Sequence, residues 1–160
     1  MQPHIAIRQE RLDQPDMAAL LDSSDRNLVK LWPLEANHIR DVQALLAPEV
    51  TFFVAREDAR IVCTGAFRRL PGEPNPAGQR YGEIKRMVVD PARCGQRMGA
   101  QFLSMFEATL RGEGCRLELL ETDCDQTEAV RLYQRGGHAA RAAFGSYCDN
   151  GFSVFYGKAL

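Results

Sequence analysis

Residues 83–103 read EIKRMVVDPARCGQRMGAQFL, and this stretch holds the two periodicities that decide the fold. Its first half is an apolar, strand-like run that ends at Pro91. Its second half begins near Gly95 as an amphipathic helix, because apolar side chains recur every three or four residues, at Phe102, Leu103, Phe106 and Leu110. The sequence therefore predicts a strand, a short basic loop and a helix, in that order.

The loop between this strand and this helix is suited to an anion. Backbone N–H groups in the first turn of a helix lack intrahelical acceptors and carry the positive end of the helix dipole, so they bind phosphate. Gly95 and Gly99 would let a ligand approach the backbone, and Arg93 and Arg97 could donate charge-assisted hydrogen bonds. These residues predict a diphosphate site. They fit equally well an ordinary turn whose glycines serve close packing and whose arginines face solvent.

The composition is that of one compact domain over residues 1–160, with 45% hydrophobic and 26% charged residues. The 20 basic and 21 acidic residues give a formal net charge of -1, which provides no broad attraction for nucleic acid or an anionic membrane. No apolar run approaches the ~20 residues that span a bilayer, and the N-terminal region lacks the hydrophobic stretch of a signal peptide. We therefore expect a cytoplasmic protein whose partners include neither nucleic acid nor membrane.

The cysteines show no metal-binding or redox pattern. They are five in number and widely spaced, at Cys63, Cys94, Cys115, Cys124 and Cys148. No Cys-x-x-Cys pair occurs, and no histidine clusters beside them, so free thiols and no metal site are predicted. His138, like the other two histidines, is isolated in the sequence and receives no catalytic role.

Apolar periodicity predicts the elements on either side of residues 83–103. Before them we predict helices over residues 16–22 and 36–46, an antiparallel hairpin with strands at 51–56 and 61–70, and an exposed loop at 71–78. After them we predict a buried strand from Leu117 to Glu121-Thr122, a short helix over residues 126–135, and a terminal pair of strands at 144–147 and 152–156. The strand–helix–strand unit in the middle normally has parallel strands, with ligands at their carboxyl ends.

The stretch that opens this section resembles motif A of the GNAT acetyltransferases. In that motif Val-x-Pro-x-x-Arg-Gly-x-Gly-x-Gly/Ala joins strand four to helix three and holds the pyrophosphate of coenzyme A. The residues in register here are Val89, Pro91, Gly95 and Gly99. Cys94 stands where the family usually has Arg or Gln, and Arg97 stands where it usually has Gly. We expect the backbone of Arg97 to avoid the left-handed conformation that a glycine would tolerate.

A second segment carries the same resemblance. Residues 128–138, EAVRLYQRGGH, are similar to the family's Asn-x-x-Ala-x-x-Leu-Tyr-x-x-x-Gly-Phe, with Gln126 in the Asn position and His138 in the Phe position. The matching residues are Ala129, Leu132, Tyr133 and Gly137. The order of elements also resembles the GNAT fold over nearly the full chain. The resemblance implies a single α/β domain whose mixed, mostly antiparallel sheet has one parallel crossover and helices on both faces.

The resemblance further implies an acetyl-CoA-dependent N-acetyltransferase without a metal. Its acceptor would be a primary amine of a small molecule or an exposed amino group of a protein, and a homodimer is kept open as the assembly. Acetyl-CoA would be bound by Met87, Val88, Val89, Cys94, Gly95, Gln96, Arg97, Met98, Gly99, Ala100, Gln126 and Tyr133. The pantetheine arm would pair with exposed main-chain groups at the end of the central strand. We also predict a bulge near Arg86, because Ile84 and Met87 would share one face only if strict alternation is interrupted.

Two residues would carry the chemistry implied by this resemblance. Tyr133 matches the tyrosine commonly assigned as general acid to the coenzyme A sulfur, although a core aromatic with a capped hydroxyl fits the same spacing. Glu83 falls where some members carry the general base, acting directly or through water. A solvated glutamate is the alternative there, with Glu121 as the substitute base.

Two other activities remain open from the sequence. Cys124 or Cys94 could accept the acetyl group first in a ping-pong reaction, but neither has a nearby histidine to activate it, so direct transfer is preferred. The departures at Cys94 and Arg97 also leave room for a coenzyme-A-binding regulatory module without turnover.

Overall fold

A computed structural model describes residues 5–11, 46–71, 80–93 and 95–160. In chain order, these ranges contain β1 (Ile5–Gln9), β2 (Val50–Glu57), β3 (Arg60–Leu70), β4 (Tyr81–Val89), α1 (Met98–Gly112), β5 (Leu117–Asp123), α2 (Thr127–Arg135), β6 (Ala139–Arg141) and β7 (Ser153–Ala159). A single 3-10 turn, Pro91–Arg93, follows β4. The helix predicted over residues 16–22 lies outside the described residues. So do residues 36–45 of the second predicted helix and residues 72–78 of the predicted loop.

The strands form one sheet in the order β1-β2-β3-β4-β5-β7-β6. β4 and β5 are parallel, and the pairs β1–β2, β5–β7 and β6–β7 are antiparallel. The parallel pair is joined through α1, as the strand–helix–strand pattern predicted. The mixed, mostly antiparallel sheet with one parallel crossover is therefore confirmed.

The predicted hairpin is β2 and β3, joined by the two-residue turn Asp58-Ala59. Asp58 has φ 54°, a left-handed backbone that aspartate tolerates better than most residues and that two-residue hairpin turns require. The strand limits exceed the predicted ones by one residue on the outer side of β2 and on each side of the turn.

The chain divides into two compact units, one of residues 1–66 with 86–96 and one of residues 67–85 with 97–160. In the first unit, a small core joins β2 and β3. It consists of Phe52, Val54, Ile61 and Ala66, with Leu46 and Val50 packed against it. Glu10, just after β1, accepts two bonds from Arg56 of β2, at 2.9 Å from Nε and 2.9 Å from Nη2. This ion pair adds to the main-chain register that holds β1 against β2.

In the second unit, α1 packs on one face of the sheet. Its buried residues Phe102, Phe106 and Leu110 recur at helical spacing, and Phe106 meets Phe67 of β3 edge to face at 5.4 Å. A Cβ added at Gly82 of β4 would lie only 2.5 Å from Leu110 Cδ1. The glycine therefore permits the close approach of α1 to β4.

The opposite face of the same unit is covered by an aromatic cluster. Its buried members are Tyr81, Leu119, Phe144 and Phe155. Neighbouring residues of a strand point to opposite faces, so Tyr81 and Glu83 share this face while Gly82 faces α1. The segment between β6 and β7 supplies Phe144 and Tyr147 to this cluster.

The predicted strand at residues 144–147 is wrong. The partner of β7 is β6 (Ala139–Arg141), and residues 144–147 form a turn in which Tyr147 N donates to Phe144 O at 3.1 Å. Gly145 has φ 57°, far from the extended backbone of a regular strand. The aromatic side chains that suggested a strand instead pack on β7, with Phe144 and Tyr147 ring centres 5.9 and 5.7 Å from that of Phe155.

α1 begins at Met98 rather than near Gly95. Gly95 has φ 85° and Arg97 has φ 61°, and both angles are incompatible with a right-handed helix. On the preceding strand, Arg86 has φ 54°, so β4 departs from extended geometry at the residue where an interruption was predicted. The carbonyl oxygen of Arg86 accepts a bond from Thr64 Oγ1 at 3.1 Å, which holds the distorted backbone in place.

Candidate active site

The N-terminus of α1 presents its backbone without help from a side chain. Arg97 is the N-cap residue, it makes no side-chain cap bond, and no acidic residue occurs in the first turn. The first main-chain bond of the helix runs from Gln101 N to Arg97 O at 3.0 Å. The N–H groups of residues 98–100 therefore have no carbonyl acceptor within the helix, and a negative ligand would bind them favourably.

The two glycines of the predicted anion loop have different roles. Gly95 is exposed, has φ 85°, and would carry a Cβ with no atom within 4 Å, so it serves the turn conformation. Gly99 is buried, and a Cβ there would lie 2.8 Å from Leu132 Cδ2 of α2. Gly99 therefore serves close packing between α1 and α2, as the alternative interpretation of the loop held for its glycines.

The expectation that Arg97 avoids the left-handed conformation is wrong. Its φ and ψ are 61° and 18°, a conformation that costs a non-glycine residue about 1 kcal/mol or more. The residue takes up the backbone geometry that the usual glycine of the motif would adopt, because the turn needs that geometry before the helix can start. Arg93 pairs with Glu57 in the first unit, so part of its charge is already compensated.

The end of β4 carries the residues predicted to hold the pantetheine arm. Pairing between β4 and β5 runs from Tyr81 with Leu117 to Ile84 with Leu120, whereas β4 itself continues to Val89. Met87, Val88 and Val89 are half-buried and lie beyond the distortion at Arg86. Among the predicted loop residues, Gln96 and Ala100 are exposed and Met98 is buried, while Cys94 lies outside the described residues.

Glu83 is the centre of a compact polar group on the aromatic face. Only 3% of the residue is exposed. Its Oε1 accepts a bond from Tyr147 Oη at 2.6 Å and lies 3.0 Å from Lys85 Nζ. Lys85 Nζ also donates to Tyr147 Oη at 3.1 Å. The alternative of a solvated glutamate is therefore wrong, because this carboxylate is buried and bonded.

Tyr133 lies on α2 and is also buried, with 5% of the residue exposed. Its ring meets that of His138 edge to face, with centres 5.7 Å apart. Its carbonyl oxygen accepts from His138 N at 3.0 Å and lies 3.1 Å from His138 Nδ1. Gln126 is the N-cap of α2, without a side-chain cap bond, and its N donates to Asp123 O at 3.0 Å.

His138, isolated in the sequence, is not isolated in the structure. Its Nε2 lies 2.6 Å from Glu118 Oε1, and neither side chain is exposed. Burial raises the pKa of the Glu118 carboxyl above its usual value, although the bond from His138 opposes the rise. Sequence reasoning missed this pair, but a signal was present, because a glutamate within the apolar strand Leu117–Asp123 needs a buried partner.

Glu107 of α1 extends this buried group. One oxygen or nitrogen each of Glu107, Glu118 and His138 lie within 4.8 Å of one another, so the three could in principle share a cation. Lys158 Nζ already lies 2.8 Å from Glu107 Oε1 and donates to Gly136 O at 2.7 Å. The ammonium group thus compensates the charge that a metal ion would otherwise neutralise.

The described cysteines are free thiols. Cys63 is fully buried, and burial raises its pKa to about 12, so its thiolate is not populated at neutral pH. Cys115 is buried, and burial raises its pKa as well. Cys124 is exposed, and its Sγ lies 3.9 Å from Asp125 Oδ1.

The model of the Acetyltransferase (GNAT) family matches residues 16–137 of this chain. The chain belongs to the GNAT acetyltransferases. An IAA acetyltransferase of Azospirillum brasilense is 35% identical to it over 158 residues, which cover 99% of each chain. The family resemblance of the sequence is thus confirmed, and with it the assignment of the protein as an N-acetyltransferase.

Solved structures agree with the GNAT fold. A Klebsiella pneumoniae protein assigned as an acyl-CoA N-acyltransferase is 28% identical and superposes with a TM-score of 0.76, covering 99% of both chains. A Salmonella typhimurium protein assigned as an acetyltransferase, solved with acetyl-CoA, superposes with a TM-score of 0.68 at 18% identity. It covers 98% of this chain and 94% of its own, and it supports the fold alone.

GNAT acetyltransferases use acetyl-CoA, and the residues of α1 fit such a ligand. The first turn has N–H groups without acceptors in the helix, no acidic residue, and an arginine immediately before it.

The two buried polar groups, one around Glu83 and one around Glu118, lie on different faces of the sheet. Glu83 lies on the aromatic face, while Glu118, one residue from Leu119 of that cluster, points to the face of α1.

Within the described ranges, neither helix is long and apolar enough to cross a membrane.

Proposed function

We propose that this GNAT enzyme transfers the acetyl group of acetyl-CoA directly to a primary amine. The acceptor is a small molecule or an exposed amino group of a protein. The observation that carries the proposal is the first turn of α1, whose N–H groups lack side-chain caps and follow a left-handed Arg97. This turn would bind the pyrophosphate, and Gly95 would keep the approach open because nothing lies where its Cβ would be.

Acetyl-CoA supplies the thioester carbonyl carbon that the acceptor nitrogen attacks. The residues predicted to bind the pantetheine arm, Met87, Val88 and Val89, follow the last pair of the β4–β5 ladder, Ile84 with Leu120. Main-chain groups on such a strand end can pair with an extended ligand as a further strand would. The remaining cofactor contacts are assigned to residues 94–100, Gln126 and Tyr133.

The base and the acid of this reaction would be Glu83 and Tyr133. Glu83 on the aromatic face accepts the proton that leaves the acceptor nitrogen. Tyr133 is held by His138, which contacts Glu118 on the face of α1, and returns a proton to the thiolate sulfur.

Direct transfer is favoured by the state of the thiols. Cys63 and Cys115 are buried with raised pKa values, and exposed Cys124 lies beside the carboxylate of Asp125. The two buried thiols are poor acetyl acceptors, since only the thiolate is nucleophilic and burial raises their pKa values. A cytoplasmic location, a single domain and a homodimer stay predictions.

Mass spectrometry of a primary-amine panel incubated with acetyl-CoA tests the proposal. Thermal shift with coenzyme A, acetyl-CoA, ATP and NAD runs beside it, since a ligand bound only to the folded state raises the melting temperature. We expect stabilisation by the two coenzyme A species alone and an acetylated amine product. Stabilisation without any acetylated product would favour the regulatory coenzyme-A-binding module instead. No stabilisation by either coenzyme A species would overturn both the acetyltransferase and the regulatory coenzyme-A-binding module.

A further inference from the structure

The burial of Glu83 limits what it can touch. With 3% of the residue exposed, the carboxylate is covered in the folded protein, and the side chain bonded to its Oε1 is Tyr147. An acceptor amine of ordinary size that approached Glu83 directly would have to displace Tyr147 and break a 2.6 Å bond to a charged oxygen. Charge-assisted bonds of this length are among the strong ones in proteins.

Tyr147 is itself held in a defined position. Its ring packs between Phe144 and Phe155, with centres 5.2 and 5.7 Å away. Its Oη donates to Glu83 Oε1 and accepts from Lys85 Nζ at 3.1 Å. Unlike Glu83, Tyr147 is only half-buried, so part of this residue is exposed.

We propose that Tyr147 is a catalytic residue that relays the proton of the acceptor amine to Glu83. This inference rests on the acetyl-transfer function proposed above. As the N–C bond forms and the C–S bond breaks, the acceptor nitrogen gives one proton to Tyr147 Oη. The Oη proton moves at the same time along the existing bond to Glu83 Oε1. Tyr147 ends the step neutral, Glu83 ends it protonated, and the departing sulfur takes its proton from the acid.

Lys85 is placed to assist this relay. Its ammonium group bonds both Tyr147 Oη and Glu83 Oε1, with 11% of its side chain exposed. It therefore fixes the two oxygens relative to each other and stabilises negative charge on the phenol oxygen while the proton is in transit.

The experiment compares Tyr147→Phe, Glu83→Gln and the double variant with the wild type. Tyr156→Phe is the matched control, since Tyr156 is a buried tyrosine of β7 outside the relay. The acceptor is the best amine that mass spectrometry finds in the panel, and acetyl-CoA binding is measured separately by calorimetry. Thermal denaturation of each variant checks that it is folded.

The relay makes a specific expectation for this set. Tyr147→Phe lowers kcat by about 100-fold or more, Glu83→Gln lowers it by a similar factor, and the double variant loses little further. Acetyl-CoA affinity stays at the wild-type value in the Phe variant, as does activity in Tyr156→Phe. The proton inventory in mixed light and heavy water is more strongly curved for the wild type than for Tyr147→Phe, because the relay adds one proton in transit to those that move without it.

Each other outcome decides against the relay. Full activity of folded Tyr147→Phe, or losses that multiply in the double variant, removes Tyr147 from the proton path while leaving acetyl transfer intact. If Glu83→Gln does not fold, the Phe variant and the proton inventory still decide. A wild type that acetylates no amine overturns the proposed function and the relay together.

Discussion

His138 Nε2 lies 2.6 Å from Glu118 Oε1 in a site that excludes solvent from both side chains. His138 Nδ1 faces the carbonyl oxygen of Tyr133, which can only accept, so Nδ1 carries a hydrogen. A hydrogen must also lie between Nε2 and Oε1. The pair therefore shares one proton, either as imidazolium and carboxylate or as two neutral groups.

This shared proton predicts a pH-dependent stability. Burial holds the pKa of Glu118 above its ordinary value of 4.5, so the folded protein binds a proton more tightly than the unfolded chain. Stability from this group is complete below about pH 4.5 and falls as the pH rises through the higher folded pKa. Glu107 and Lys158 face the same group, with Glu107 raising this pKa and Lys158 lowering it.

Glu118→Gln should remove this part of the pH dependence. The glutamine amide can donate to a neutral His138 Nε2 in the same geometry, so the bond persists without a titrating proton. Denaturant unfolding between pH 4 and pH 9 would measure it, with exposed Glu128→Gln as the control. Wild type and Glu118→Gln should diverge above about pH 4.5. Parallel curves for all three proteins would show that Glu118 keeps an ordinary pKa.

Arg97 offers a way to separate backbone strain from charge. Arg97→Gly and Arg97→Ala both delete the guanidinium, but only glycine relieves the backbone at φ 61°. We expect the Gly variant to be more stable than the Ala variant by about 1 kcal/mol, as measured by denaturant unfolding. Both should bind coenzyme A more weakly than the wild type, with a smaller salt dependence, if the guanidinium contacts phosphate.

Either half of this comparison can fail independently. Equal stability of the two variants would contradict the left-handed backbone at residue 97. Unchanged coenzyme A affinity in calorimetry would show that the N–H groups of α1, without Arg97, bind the pyrophosphate.

The sequence predicted what depends on local periodicity. The β-branched and aromatic composition of β2 and β3 and the three-and-four spacing of Phe102, Phe106 and Leu110 are properties of a few consecutive residues, and the structure confirms the elements that they predict. The turn at Gly95 was placed correctly too. The start of α1 was not, because periodicity does not report a left-handed residue such as Arg97.

The site depended on contacts between distant residues, which spacing does not encode. Tyr147 lies 64 positions from Glu83, and His138 lies 20 positions from Glu118. Aromatic residues at 144–147 suggested a strand, since strands favour such residues, but their packing on Phe155 could not be read locally. The sequence did contain one signal of the buried pair. A carboxylate buried in an apolar strand is costly in free energy unless it is paired, so Glu118 needs a buried partner.

The close packing of Leu110 against Gly82 predicts that a larger residue at position 82 lowers stability, and Gly112 provides a control. An alanine Cβ at Gly82 would meet both methyl groups of Leu110, at 2.5 and 2.6 Å, and Leu110 is fully buried. Gly82→Ala should therefore cost about 1–3 kcal/mol in denaturant unfolding. Gly112→Ala at the end of α1 adds the same methyl group where nothing lies within 4 Å, and should be neutral or slightly stabilising. Equal effects of the two changes would mean that α1 does not pack closely on β4.

Tyr133→Phe tests the assignment of the acid. The ring would keep its packing against His138, and the carbonyl bonds to His138 do not involve the hydroxyl, so folding and acetyl-CoA binding should persist. Loss of a general acid lowers kcat by about 100-fold or more and removes the decline of kcat at high pH that follows its deprotonation. Steady-state kinetics across pH 6–10, with calorimetry for binding, measure both, and Tyr156→Phe again controls for a tyrosine hydroxyl elsewhere in the unit. A Tyr133→Phe enzyme with wild-type kcat and an unaltered pH profile would make Tyr133 a packing residue, and the proton for the sulfur would then come from water or another side chain.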